Sequence, residues 1–122
     1  MNFKLLLTTF FAAAAVAAVH LTAIEHQLYF HLYWFDMLAH FLGGVFVALA
    51  AAVSLHLFGT RVTLFTGALA ACVAGIGWEI FEYISGFPTS VWMSYVADTS
   101  KDLIIDVCGG VVGAYIARCM VE

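Results

Sequence analysis

MLAHFLGGVFVALAAAVSLHLF (Met37–Phe58), the short break Gly59-Thr60-Arg61 and VTLFTGALAACVAGIGWEIFEYI (Val62–Ile84) form the stretch that decides the fold. Each apolar run exceeds the roughly 20 residues that an α-helix needs to cross the hydrocarbon core of a bilayer. A break that short reverses the chain, so the two runs form an antiparallel pair of membrane helices. Outward from this hairpin, Phe3–Ile24 and Leu103–Val121 are two further runs long enough to span. The expectation is an all-α polytopic membrane protein, an antiparallel four-transmembrane-helix bundle, with residues 1–122 as a single integral membrane domain.

Composition agrees with that class. Hydrophobic residues make up 65% of the chain and charged residues 10%, and the mean hydropathy of +1.04 lies outside the range of soluble domains. Four spans consume nearly all of the 122 residues, which leaves no room for a separate soluble domain. Eight acids against four bases give a net charge of -4, and that balance argues against nucleic acid as a partner. Cys72, Cys108 and Cys119 fall inside apolar runs, none with a second cysteine at metal or redox spacing, and read as packing residues. Lys4 and Ala15-Val16-Ala17 resemble parts of a secretory leader, but the apolar run is long for a leader core and reads as a span.

The connections differ in character. His26–Phe35 and Gly86–Ala97 are longer than the hairpin break and rich in aromatics, and Tyr29, Tyr33, Trp34, Trp92 and Tyr95 suit the headgroup level. Both are therefore expected along one interface, with Gly86 and Pro88 ending the third helix. Lys4, Arg61 and Arg118 lie towards the other side and only Lys101 towards this one. By the excess of basic residues, both termini are expected to be cytoplasmic, with the chain in the cell inner membrane. Gly43-Gly44, Gly75-x-Gly77 and Gly109-x-x-x-Gly113 are small-residue patches that favour close helix contact.

Against this apolar background stand Asp36, His40, Glu79, Glu82, Asp98, Asp102 and Asp106, spaced as D-x-x-x-H, E-x-x-E and D-x-x-x-D-x-x-x-D. Residues three or four apart share a helix face. Antiparallel threading brings the start of the second helix, the end of the third and the start of the fourth to the same interface. At 1.5 Å per residue, His40 lies roughly 6 Å deeper than Asp36, and Asp106 roughly 12 Å deeper than Asp98. Carboxylates are costly near hydrocarbon, and so many at close quarters require protons or cations to neutralise them. Carboxylate oxygens with one imidazole suit a divalent metal, Mg, Mn, Fe or Zn. The expected metal ligands are His40, Glu79, Glu82, Asp102 and Asp106, with Asp36 or Asp98 as the catalytic base. No other cofactor is called for.

The bland readings are helix capping for Asp36 and Asp98, and interhelical hydrogen bonding for the rest. His20 and His56 read as structural, Glu25, His26 and His31 as interface residues, and Trp78 as packing.

Asp36-x-x-x-His40-Phe41-x-x-Gly44, Trp78-Glu79-x-x-Glu82 and Asp98-Thr99-x-x-Asp102-Leu103 resemble the signature of the YjdF-like bacterial inner-membrane proteins, a poorly characterised group related in pattern to VanZ-like proteins. The resemblance runs from Asp36 to Gly113 and implies a small multi-helix inner-membrane protein with acidic motifs and no settled activity. From the residues themselves, the leading functional expectation is a metal-dependent hydrolase or transferase acting on a lipid-linked phosphate or other headgroup. The alternatives are a cation transporter or metal sensor, and a non-catalytic membrane module that supports a partner or a homo-oligomer.

Overall fold

A computed structural model describes residues 2–86 and 91–121. The chain folds as α1 (Phe3–Glu25), the short α2 (Leu28–His31), α3 (Tyr33–Leu57), α4 (Leu64–Ser85) and α5 (Tyr95–Val121). The four long helices are all apolar and long enough to span a bilayer. The described residues contain no strand, and the chain is a multi-pass membrane protein whose outer faces contact lipid.

Local chemistry sets the ends. The Asn2 side chain caps α1 by accepting from the Leu5 amide, and its amide nitrogen donates to the Met120 carbonyl at 2.7 Å. That bond ties the start of α1 to the end of α5 and places both ends of the described chain on one side. Thr63 and Thr66 form a reciprocal capping box at the start of α4. Gly86 closes α4 with φ +65°, a left-handed conformation that glycine adopts without strain. Pro88, expected to share in that stop, lies outside the described residues.

Two boundaries differ from the hydropathy reading by a turn or more. α3 begins at Tyr33 rather than Met37, and α5 at Tyr95 rather than Leu103. In each case the added turns carry an acid, Asp36 or Asp98, which lowers hydropathy yet favours a helix start through the macrodipole. The His26–Phe35 connection also contains α2, entered through Gln27 at φ +54°. The Tyr33 and Trp92 rings meet edge-on at 6.4 Å, so the two longer connections come together at one end of the bundle.

The bundle is uneven. α3, α4 and α5 pack closely on one another, whereas α1 lies mainly along α3. α3 and α5 cross almost backbone to backbone: a Cβ on Gly109 would strike the Phe41 carbonyl oxygen, and one on Gly44 the Asp106 carbonyl oxygen. α1 and α4 have no close backbone approach, and a slot separates them. An apolar cluster of Leu5, Ala48, Leu49, Ala52, Val62, Ala114 and Ala117 packs at the end away from the longer connections. Cys108 and Cys119 lie on exposed faces and Cys72 is half-buried, all three as free thiols.

Candidate metal centre

Three helices supply the polar end. In α5, four-residue steps bury Asp98, Asp102 and Asp106 on one stripe, facing α3 and α4. α3 contributes Asp36 from its first turn and His40 one turn deeper, and α4 contributes Glu79. Gly75 makes the room: a Cβ there would collide with the Asp106 carboxylate.

His40 organises the cluster. Its Nδ1–H donates to the Asp106 carboxylate, nearly equidistant from the two oxygens at 3.2 and 3.3 Å. That bond fixes the ring, and Nε2 then faces Asp36 Oδ1 at 3.6 Å, Asp102 Oδ2 at 3.8 Å and Glu79 Oε1 at 3.9 Å. All three separations exceed a charge-assisted N–H···O bond of about 2.7–2.9 Å. Two ligands that share an ion at roughly 2.0–2.2 Å each lie no more than about 4.4 Å apart, so these separations fit common coordination. One donor atom each from Asp36, His40 and Asp102 lies within 4.8 Å of the others, close enough to hold a metal ion. Glu79 is 94% buried by its 6% exposure; its Oε2 accepts from the Thr99 hydroxyl at 2.7 Å, while Oε1, the oxygen turned to His40, has no hydrogen-bond partner among the described residues.

Lys101 occupies the layer nearer the interface. Its ammonium meets Asp98 at 2.9 Å, Asp102 at 3.1 Å and Asp36 at 3.3 Å, 5.5 Å from the Tyr33 ring centroid. It holds Asp36 Oδ2 and Asp102 Oδ1, so Asp36 Oδ1 and Asp102 Oδ2 are left for whatever sits at Nε2. One ammonium does not offset five carboxylates, and an imidazole lone pair aimed at three acid oxygens is repulsive unless a proton or a cation lies between them.

The residues expected as ligands, and Asp36 and Asp98 expected as the base, thus fall into different places. Asp36, Asp102 and Glu79 each turn an oxygen to His40 Nε2, and Asp36, His40 and Asp102 form the group whose donor atoms all lie near one another. Asp106 lies behind the imidazole, and Asp98 is engaged by Lys101. Glu82 points to the rim, where its Oε1 accepts from the Trp78 indole at 2.8 Å. Sequence reasoning undervalued Lys101, Thr99 and Trp78. Lys101 and Trp78 carried local signals, their three- and four-residue spacings from Asp98 and Glu82, and nothing in the sequence indicated the reach of Lys101 to Asp36.

His20, read from the sequence as structural, joins two helices at the polar end. Its Nδ1 lies 2.9 Å from the Tyr29 hydroxyl and its ring sits edge-on to Trp78 at 5.4 Å, bridging α1 to α4. Burial, reinforced by the Asp36 and Glu82 carboxylates, pushes the Tyr29 phenol well above its ordinary range and keeps its O–H protonated. His20, Tyr29, Asp36, His40, Glu82 and Lys101 all line a cavity of about 370 Å³. Glu25, His26 and His31 are exposed, and His56 lines a smaller cleft with Arg61 and Arg118 at the opposite end.

The family described as predicted membrane protein (DUF2238) matches residues 1–122, and the chain belongs to it. No curated protein and no solved structure matches the chain.

Proposed function

For this member of the family, we propose a divalent metal ion held by Asp36, His40, Glu79 and Asp102, and a metal-dependent hydrolase or transferase activity on a lipid headgroup. A single observation carries the reading: His40 Nε2 faces three acid oxygens at 3.6 to 3.9 Å while Asp106 holds its other nitrogen. An imidazolium ion would draw a carboxylate to hydrogen-bond distance, whereas a metal keeps its ligands apart. The carboxylate–histidine pair behind the site is the usual support of a metal-bound imidazole. One nitrogen with several carboxylate oxygens favours Mn, Fe or Zn over Ca.

Asp36 and His40 line the cavity, which supports an open coordination side for water or substrate. A metal there supplies a polarised ester or phosphoryl oxygen and an activated water. Asp98 positions Lys101, and Lys101 offers a cation to an anionic head. The apolar cluster at the far end argues against a conduction path, so the site serves chemistry from one face. By the basic residues, that face is extracytoplasmic and the chain lies in the inner membrane.

Elemental analysis of protein purified in detergent under metal-replete conditions tests this. Wild type is expected to carry stoichiometric Mn, Fe or Zn, and Glu79→Gln and Asp102→Asn to carry substantially less while eluting as folded protein. Wild type without stoichiometric metal would overturn the proposal.

A further inference from the structure

We propose that the slot between α1 and α4 holds the single hydrocarbon chain of an amphiphile whose anionic oxygen head lies at the Asp36–His40 site, an inference that rests on the metal reading above. The cavity divides by polarity. Its ionisable side chains gather at the interface end, whereas the walls deeper in are apolar, among them Ala13 and Val16 of α1 and Val47 of α3. From His40 to Val47 the slot descends roughly 10 Å at 1.5 Å per residue. Beyond Asp106, which pairs with His40 at the top of that descent, a polar occupant would find no hydrogen-bonding side chain lining the slot; an alkyl chain needs none.

Room at the wall is real. Gly43 lines the slot, and a Cβ built on it meets nothing within 4 Å, so the open space reaches the helix backbone. Ala17 and Ala74 keep the facing walls low. Because α1 and α4 do not approach closely, the slot lies alongside the surrounding hydrocarbon, and a chain can enter sideways without breaking a backbone hydrogen bond. The His20–Trp78 contact crosses on the interface side of Ala17 and Ala74, between head and tail. The volume of about 370 Å³ is at the lower end of ligand pockets, suited to one chain rather than two.

Charge decides the head. Without an ion, the Asp36, Asp98, Asp102 and Asp106 carboxylates repel an anion; with one, the metal and Lys101 attract it. Anionic oxygen occurs both in a phosphate monoester and in a fatty-acid carboxylate, and the experiment separates these.

The test uses Trp34→Phe/Trp92→Phe protein, leaving Trp78 at the slot as the fluorophore, loaded with Zn and titrated with chain-brominated lysophosphatidate, fatty acid or diacylphosphatidate. Saturable quenching is expected with a single-chain acid, and the tighter of the two identifies the head. Gly43→Phe should weaken half-saturation by at least about tenfold while keeping its Zn, because the ring fills the slot. Gly77→Phe, on an exposed face of α4 outside the cavity, should behave as the parent. Chelation should abolish saturable quenching. Zn retention with no saturable quenching, an unaffected Gly43→Phe, quenching that survives chelation, or equal binding of the diacyl lipid would each overturn the slot proposal. A parent that binds no Zn would instead overturn the metal reading beneath it.

Discussion

At the residue scale, the pairing of His40 with Asp106 separates two roles that spacing alone does not distinguish. Four-residue steps place Asp98, Asp102 and Asp106 on one face, but which oxygen meets which imidazole nitrogen depends on how α3 crosses α5. Asp106 meets Nδ1, and Asp36, Glu79 and Asp102 surround Nε2. A buried acid on the nitrogen away from the metal raises ligand basicity and fixes the ring. Asp106→Asn keeps an acceptor for Nδ1–H but loses the charge. It should therefore fold normally and lower metal affinity by about 10–100-fold, read by competition with a chelator of known strength. Affinity equal to wild type would mean that Asp106 has no orienting role. The effect of Glu79→Gln should be of another kind, since it replaces an oxygen with no other hydrogen-bond partner among the described residues.

At the element scale, α5 carries the site and the packing on one stripe: Asp98, Asp102 and Asp106 near its start, then Gly109, Gly113 and Ala117. The glycines let α3 come close enough for His40 to reach between the acids, so a bulkier residue there acts on stability and site together. Gly109→Val drives its side chain into the Phe41 backbone and should cost roughly 1–3 kcal/mol or more. Gly43→Ala meets nothing within 4 Å and should be neutral or stabilising by up to about 1 kcal/mol. Thermal unfolding followed by size-exclusion in detergent checks the pair; equal melting temperatures would contradict the backbone-to-backbone crossing. The glycine patches and acid spacings were legible because both repeat at helical intervals. The helix starts were less so, since Asp36 and Asp98 lower the hydropathy of the very turns they help to initiate. The ion pairs of Lys101 were least legible, because its contact with Asp36 is set by tertiary crossing rather than by local sequence.

At the scale of the whole molecule, the short Gly59-Thr60-Arg61 break made antiparallel threading readable, and with it the gathering of acids at one end. The slot was not readable. α1 is apolar on nearly all sides and buries only Leu5 and Ala23, so its sequence gives no face that says where it docks. Sidedness is the remaining global property, and the argument for it joins chemistry to charge. The bond from Asn2 to Met120 puts both ends of the described chain together, and Lys4, Arg61 and Arg118 follow them, opposite the acid cluster. On the proposed orientation, with the basic residues on the cytoplasmic side, the acid cluster is expected to face outward. In a Cys72→Ala/Cys108→Ala/Cys119→Ala background, Ser94→Cys should react with a membrane-impermeant maleimide applied to intact spheroplasts. Thr60→Cys should react only after the membrane is opened. The reverse pattern would place the carboxylates on the cytoplasmic face and require a head supplied from within the cell. Labelling of both from outside would break the antiparallel arrangement itself, since Thr60 and Ser94 stand at opposite ends of α4.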